Sequence, residues 1–453
     1  MHANRSYLIV GLGVTGLSVV DYLVQNNARV MITDTRAAPP QLQELQHKYP
    51  QLTVMLGAIT IPEHITHIVL SPGLGVATPE IQAALQHGVK VLGDIELFAQ
   101  AVDKPVIAIT GSNGKSTVTT LLGEMARASG LRVGVGGNLG PAALTLLKQD
   151  YAVYILELSS FQLETTYSLQ PQVAAILNIS PDHLDRYAGM AEYIQAKQRI
   201  YNRAEYIVFN QQDEFTMPIA GSGQQISFGL EPAAANNFGI IMHDGAAWLA
   251  RGTTPLLPIS AMAMLGIHNV ANALAALAMG ELAGFNMSAM LNTLRSFKGL
   301  EHRCEKIVIT NGVLWVNDSK GTNVASTLAA IRGLATQIAG KWVIILGGVG
   351  KMQDFSPLLP DLEKVCKAAI LIGTEAANFA RLLDGKVPYF MAADLAAVVA
   401  IAKQQTQPGD GVLLSPACAS FDMFDNYVQR GRLFKQQVLQ EVGTYGHQKD
   451  TIS

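Results

Sequence analysis

Cysteine and charge are both scarce in this chain. Only Cys304, Cys366 and Cys418 occur in 453 residues, and they lie far apart. Such spacing gives neither a disulfide framework nor the paired ligands of a zinc site, and it fits a reducing compartment. Each reads as a small buried hydrophobe rather than a nucleophile. Charged residues make up 15% of the chain, below the usual quarter, and the formal net charge is −3. That balance creates no basic field, so nucleic acid is not an expected partner. No uninterrupted apolar run reaches the roughly 18 residues of a membrane span. The short apolar run after Arg5 has the look of a signal peptide, but Gly11, Gly13 and Gly16 interrupt it and no cleavage-type segment follows. The expected setting is cytoplasmic, without membrane insertion. Internal repeats are missing, and so are low-complexity tracts apart from the polar last residues, where disorder is expected. The length implies about three domains of roughly 150 residues each.

What is present is phosphate chemistry. An apolar strand, Val106 to Thr110, runs into Gly111-Ser112-Asn113-Gly114-Lys115-Ser116-Thr117. The two glycines let backbone N–H groups turn toward a polyphosphate, and the following helix adds its positive end. Lys115 can reach terminal phosphates, and the Ser116 hydroxyl suits Mg²⁺. Ile109 stands where the strict motif has its first glycine. A second glycine turn opens the chain: a strand Tyr7 to Val10, then Gly11-Leu-Gly-Val-Thr-Gly16, a helix, a strand Arg29 to Thr33, and Asp34. This is the dinucleotide fingerprint, which alone favours NAD over other phosphate-bearing ligands.

Strand ends carry polar groups throughout. Ile65 to Leu70 leads to Ser71-Pro-Gly73; Ala152 to Leu156 leads to Glu157; Val173 to Leu177 leads to Asn178 and Asp182-His183. In a doubly wound parallel sheet, ligands sit outside the carboxyl ends of the strands, so Lys115, Glu157 and His183 should share one crevice. Phe238 to Met242 and Ala246 to Ala250 flank His243-Asp-Gly245, a hairpin signal. His268-Asn-Val-Ala-Asn272 opens an alanine-rich helix. Gly93 to Lys104 reads as the passage to a second domain, and a further boundary falls near Lys298-Gly-Leu300. Beyond it, strands at Val313 to Asn317, Trp342 to Leu346, Ala369 to Ile372 and Val412 to Leu414 predict another α/β sheet.

One lysine is out of place. A helical stripe runs through Met190, Tyr193, Ile194, Ile200, Tyr201 and Ala204, and Lys197 completes it. Two readings are open: the ammonium snorkels out along the core, or a neutral, desolvated amine adds CO₂ and becomes a carbamate able to hold Mg²⁺.

Taken in order, Thr110 to Thr117, Glu157-Leu-Ser-Ser-Phe-Gln-Leu-Glu164, Asp182-His-Leu-Asp-Arg186, His268 to Asn272, His302-Arg303 and Asp318-Ser-Lys-Gly-Thr-Asn323 resemble the Mur ligases of peptidoglycan synthesis. The match spans essentially the whole chain. It implies an ATP-dependent, amide-forming ligase of α/β class with three domains. Residues 1–93 would be a Rossmann-like UDP-binding domain, 94–298 a central P-loop-type ATPase with a parallel sheet plus antiparallel decoration, and 299–453 a Rossmann-like domain for the amino acid. The implied substrates are ATP, UDP-N-acetylmuramoyl-L-alanine and D-glutamate, with Mg²⁺ at two sites and a monomeric enzyme.

The same resemblance implies site roles. Val14, Thr15, Gly16, Asp34, Thr35, Arg36, Ser71, Pro72, Gly73, Asn138, Ser159 and Gln162 would hold the UDP substrate. Gly111 to Thr117, Asn272, Arg303, Asp318 and Lys320 would hold ATP. Ser116 and Glu157 would bind one Mg²⁺, and His183 with carbamylated Lys197 a second. Lys115, His183, Lys197, Arg303 and Lys320 would form the catalytic set, and Thr322, Lys351, Ser420, Phe421 and Tyr427 would receive D-glutamate. Val349 stands where the family's Gly-Gly-x-Gly-Lys loop carries an acid. A folylpolyglutamate synthetase-like ligase would share the phosphate loop but not explain the first glycine turn. An NAD-dependent dehydrogenase would explain only the first hundred residues. A non-catalytic nucleotide-binding regulator would have no use for Lys197 beside His183.

Overall fold

The computed structural model describes residues 5–183, 186–219, 221–350 and 352–442. Lys351 and the polar C-terminal residues therefore lie outside the described residues. The chain is α/β, with three sheets distributed over two compact units, Met1–Pro258 with Asn272–Thr293, and Ile259–Ala271 with Leu294–Ser453. No described helix is long and apolar enough to cross a membrane.

The first unit begins with β1 (Ser6–Val10), β2 (Arg29–Asp34), β3 (Thr53–Leu56), β4 (His67–Leu70) and β5 (Lys90–Leu92), all parallel in the order β3-β2-β1-β4-β5. Leu8, Ile9 and Val10 are buried, as a strand covered on both faces requires. Strand order reverses between β1 and β4, so the loops that leave them splay apart and open a crevice. The passage from Gly93 is not a slack linker. It holds a helix, Asp94–Ala101, whose Ile95, Leu97 and Phe98 are fully buried.

The second sheet comprises β6 (Val106–Thr110), β7 (Val133–Gly137), β8 (Val153–Glu157), β9 (Val173–Ile176), β10 (Tyr206–Asn210), β11 (Gln224–Phe228), β12 (Phe238–His243), β13 (Ala246–Arg251) and β14 (Thr254–Pro258). Its order is β14-β13-β12-β11-β10-β9-β6-β8-β7, parallel except for the β12–β13–β14 meander. The expected hairpin turn is present, with Asp244 and Gly245 at φ of 50° and 75°, the positive pair that matches strand twist. β6 lies between β8 and β9, so the loops from these three strands meet. The stripe helix, Met190–Gln198, tightens into a 3₁₀ turn, Arg199–Tyr201, and Tyr193, Lys197, Ile200 and Tyr201 all face inward.

In the second unit, β15 (Glu305–Thr310), β16 (Val313–Asn317), β17 (Trp342–Gly347), β18 (Cys366–Ile372), β19 (Tyr389–Met391) and β20 (Gly411–Leu414) take the order β15-β16-β20-β17-β18-β19. Only β15 runs antiparallel. Trp315 and Trp342 anchor separate apolar clusters of this unit. All three cysteines of the chain are free and buried, as their spacing suggested.

Tyr201 pins two strands of the second sheet. Its buried hydroxyl accepts from the Ile176 N–H of β9 at 3.1 Å and faces the Val208 carbonyl of β10 at 3.1 Å, with the Thr216 carbonyl at 3.0 Å. Tyr201→Phe leaves these groups without this partner, and an unsatisfied buried amide costs about 1–3 kcal/mol. Denaturant unfolding should show that loss as a lower midpoint at unchanged slope; an unaltered midpoint would show that the hydroxyl contributes nothing.

Candidate active site

A cavity of about 600 Å³ sits at the carboxyl ends of β1, β2 and β4. Three loops of the first sheet line it, through Val14 and Thr15, through Asp34, Thr35 and Arg36, and through Ser71, Pro72 and Gly73; Asn138 and Gln162 close it from the second sheet. The family resemblance named all of these and did not name Leu74, Gly137, Gly140 or Ala142, nor the turn glycines Gly11 and Gly13, which also line the cavity. Two expected residues stand back. Gly16 packs under the loop, where a Cβ would lie 2.1 Å from the Gly11 carbonyl oxygen. Ser159 is the N-cap of the helix Ser160–Glu164, in a reciprocal capping box with Gln162.

Asp34, the acid after the second strand, is engaged by the protein itself. Its Oδ2 accepts from the Leu12 N–H and from Arg36 Nη2, each at 2.7 Å, and its Oδ1 accepts from Arg36 N and Nε, each at 2.9 Å. These bonds, the Arg36 side chain first, hold the carboxyl down at about 2. In a dinucleotide fold the corresponding acid takes the ribose hydroxyls. Here its lone pairs are occupied by the protein, and Asp34 fixes the loop and aims Arg36 instead.

The phosphate loop leaves β6 and enters the helix Lys115–Ala128. Gly114 adopts φ of 82° with the Asn272 amide oxygen 2.6 Å from where a Cβ would sit, so loop and asparagine fit only around glycine. Asn178 ties the loop from the β9 side, accepting from the Asn113 N–H at 2.8 Å. Lys115 Nζ donates to the Gly111 and Ser112 carbonyls at 2.8 and 2.9 Å. Lys197 Nζ donates to the same Gly111 carbonyl at 2.9 Å and lies 4.7 Å from the Tyr193 ring centre. It does not snorkel: Lys197 is 2% exposed. Burial first, and Lys115 second, push its pKa well below the lysine norm, opposed by Asp182 and Glu157.

Glu157, the last residue of β8, is buried; its Oε1 accepts from Asn138 Nδ2 at 2.7 Å, while among the described residues Oε2 has no hydrogen-bond partner. His183 takes a left-handed φ of 54° and packs edge-on to Phe161 at 4.9 Å. Lys115, Lys197, Glu157 and Asn138 thus converge, and His183 sits on the neighbouring loop. Among the described residues no three His, Cys, Asp or Glu side chains gather as metal ligands. The orphaned Glu157 oxygen fits Mg²⁺ nonetheless, since that ion commonly takes one or two carboxylates and completes its shell with phosphate oxygens and water.

The second unit gathers its own strand-end loops. Val349 and Ala419 pair through main-chain bonds of 2.8 and 3.0 Å, which brings the Gly347–Gly350 loop against Ser415–Ser420. Backbone atoms do this pairing, so a valine at 349 is compatible with it. Asp318 is buried and accepts from Ser415 Oγ at 2.7 Å and from the Cys304 N–H at 3.1 Å; burial raises its carboxyl to about 6. Lys320 Nζ lies 4.1 Å from the Tyr427 ring centre, Ser420 is buried, and Phe421 is exposed. Sequence reasoning missed Arg430. Its guanidinium is 1% exposed and bonds the Ser319 hydroxyl and carbonyl and the Cys418 carbonyl at 2.8–3.2 Å, so it ties two loops together through neutral oxygens.

The parallel α/β unit with a phosphate loop and an adjoining cavity defines a nucleotide-dependent enzyme fold. Three family models match in chain order: the Mur ligase MurD-like N-terminal domain at residues 5–93, the Mur ligase middle domain at 109–280 and the Mur ligase glutamate ligase domain at 302–418. Among curated relatives, a UDP-N-acetylmuramoylalanine–D-glutamate ligase of Pseudomonas syringae pv. tomato is 48% identical over 96% of this chain and 98% of its own length. One of the same name from Legionella pneumophila (strain Paris) is 45% identical over 95% and 98%. Of solved structures, the UDP-N-acetylmuramate-alanine ligase of Thermotoga maritima superposes with a TM-score of 0.60 at 16% identity, covering 96% of this chain and all of that one, which speaks to fold alone. The chain belongs to the Mur ligase family.

Asp34 makes stability depend on pH. Its folded pKa of about 2 lies below the ordinary 3.8, so its contribution is complete above about pH 4 and is lost as pH falls toward 2. Asp34→Asn should be less stable than the parent at pH 7 by about 2 kcal/mol. That gap should narrow between about pH 4 and pH 2. Thermal melts of both proteins across this range check it; a gap constant with pH would remove the charge from the account.

Proposed function

We propose that this chain is an ATP-dependent ligase that joins D-glutamate to UDP-N-acetylmuramoyl-L-alanine in cytoplasmic peptidoglycan precursor synthesis. One observation carries the reading. Asn138 lines the cavity and also donates to Glu157 beside the phosphate loop, so a long UDP-linked substrate seated in the cavity would end where a nucleotide's terminal phosphate is held. The names of the relatives supply the substrate and the amino acid.

The chemistry follows from these parts. A carboxylate is a poor electrophile, so ATP first phosphorylates the L-alanyl carboxylate, with Lys115 offsetting the charge that develops during in-line transfer. The D-glutamate amine attacks the acyl phosphate, a tetrahedral intermediate collapses, and phosphate leaves an amide. Ser116 and Glu157 would hold one Mg²⁺, and His183 with a Lys197 carbamate a second; the ions supply neutralisation of phosphate charge. Arg303, Asp318 and Lys320 keep their family assignment to ATP, and Thr322, Lys351, Ser420, Phe421 and Tyr427 theirs to D-glutamate. The functional division is taken at 1–93, 94–298 and 299–453.

The direct test is phosphate release from ATP by the purified protein, offered UDP-N-acetylmuramoyl-L-alanine with each candidate amino acid in turn. Release that requires both the UDP substrate and D-glutamate supports the reading; tight NAD binding with no response to the UDP substrate would sink it.

Lys115→Ala should lower acyl phosphate formation by about 100-fold or more, the usual effect of deleting one preorganised transition-state donor at about 3 kcal/mol. UDP binding should hardly change, because the cavity is built from other loops. Hydroxylamine trapping of the acyl phosphate measures the first, and calorimetry with UDP the second. Normal trapping in the variant would remove Lys115 from the chemistry.

Lys197→Ala tests the carbamate. The amine is buried and faces a carbonyl already bonded to another ammonium, a place where a neutral amine, and hence CO₂ addition, is favoured. The variant should lose activity and regain part of it in acetate, which refills the space with a carboxylate. Mass spectrometry or a high-resolution map of the Mg²⁺ complex prepared with bicarbonate reads the adduct directly; an unmodified lysine there rules it out.

A further inference from the structure

Arg186 joins two loops that no sequence motif connects. Its guanidinium Nη1 donates to the Pro72 carbonyl at 2.7 Å and its Nη2 to the Leu74 carbonyl at 3.0 Å, gripping the loop that lines the cavity. Its main-chain N–H donates to the His183 carbonyl at 3.0 Å. The guanidinium carbon also lies over the Phe161 ring, 3.9 Å from its centre, and the group pairs with Glu164 Oε2 at 3.2 Å. Phe161 is the residue on which His183 packs, and both Phe161 and Glu164 belong to the short helix that presents Gln162 to the cavity. Tyr187 closes the set, its hydroxyl donating to the other Glu164 oxygen and its N–H to the His183 carbonyl. The Arg186 side chain is only 17% exposed, so these are shielded contacts and not a surface ion pair.

We propose that Arg186 is a positioning residue that makes the placement of His183 depend on the Ser71–Leu74 loop, so that occupation of the UDP cavity sets the phosphoryl-transfer site. A planar fork with two carbonyls two residues apart fixes the curvature of that loop, and stacking on Phe161 stops the fork from rotating. Any shift of the loop therefore moves Arg186, and with it the turn that His183 shares through its own carbonyl. An enzyme that makes a water-labile acyl phosphate gains from such a link, because the geometry for phosphoryl transfer is completed only when the acceptor is in place, whether or not ATP is already bound. The coupling to phosphoryl transfer rests on the ligase reading above; the link between the cavity loop and the His183 turn does not.

Amide hydrogen exchange with UDP as the probe tests the link itself. In the parent protein UDP should slow exchange at the Arg186 and Tyr187 amides by about fivefold or more, and in Arg186→Ala it should not, although calorimetry still finds UDP bound. In turnover assays Arg186→Ala should lower the rate of acyl phosphate formation about tenfold or more while the KM for ATP stays within about twofold. Arg186→Lys keeps a cation but loses the fork and the stacking; it should recover the melting temperature and not the rate, which a merely structural role would recover together. UDP-dependent protection that persists in Arg186→Ala, or that is absent in the parent, overturns the proposal, as does full recovery of the rate by lysine. Protection without any ligase turnover in the parent would sink the ligase reading and leave the link standing.

Discussion

The Gly111 carbonyl oxygen accepts from two ammonium groups at once, and the chemistry of the first unit depends on that crowding. Two like charges about 4–5 Å apart repel by about 3–4 kcal/mol at an effective dielectric near 20. The Asp182 and Glu157 charges offset part of this, since both act to keep Lys197 protonated. The remainder can be relieved in two ways: an anion can come to Lys115, or Lys197 can give up its proton. The first describes a nucleotide phosphate. The second describes a neutral amine, so one carbonyl links the state of Lys197 to whatever Lys115 binds.

The parallel sheet is what makes such crowding possible. β6 is flanked by β8 and β9, so the phosphate loop, Glu157 and the Asn178–His183 segment leave the sheet side by side, and the stripe helix packs Lys197 beneath them. The second unit also buries a cation under strand-end loops, but chooses differently. Arg430 binds the Ser319 and Cys418 carbonyls and keeps its proton at any physiological pH; even burial lowers it only to about 10. A lysine gives a site that can titrate and be modified. An arginine gives a fixed brace, which holds the Ser319 and Cys418 loops in one arrangement.

Much of this was legible in the sequence because the relevant signals are local. Glycine-rich stretches announced both strand-to-helix turns, and the period of the stripe exposed Lys197. The same period, Arg430 then Phe434 then Val438, would have exposed Arg430, but a helix rich in Gln, Arg and Lys drew no attention. Asn311-Gly312 marked the β15–β16 hairpin by ordinary turn chemistry, and only β16 was read. Other features could not be read at all. Asn138 meets Glu157, and Arg186 meets Pro72, across 19 and 114 residues of chain, by side-chain contacts that no residue type announces. Asp34 was seen, yet its partners were not, and those partners decide its role.

That last case bears on how far a fingerprint can be trusted. A glycine turn with an acid after the second strand offers the same backbone donors and the same helix end to NAD or to UDP, so the turn itself cannot choose. The choice lies in whether the acid is available. With Leu12 and Arg36 taking its lone pairs, the Asp34 carboxylate cannot accept from a ribose, and its effect passes to Arg36, whose side chain remains 50% exposed at the cavity. A planar cation held from behind by a carboxylate presents a flat face, suited to lie along a nucleotide base. The group that the end of β2 offers to the cavity is therefore the half-exposed guanidinium and not the carboxylate behind it.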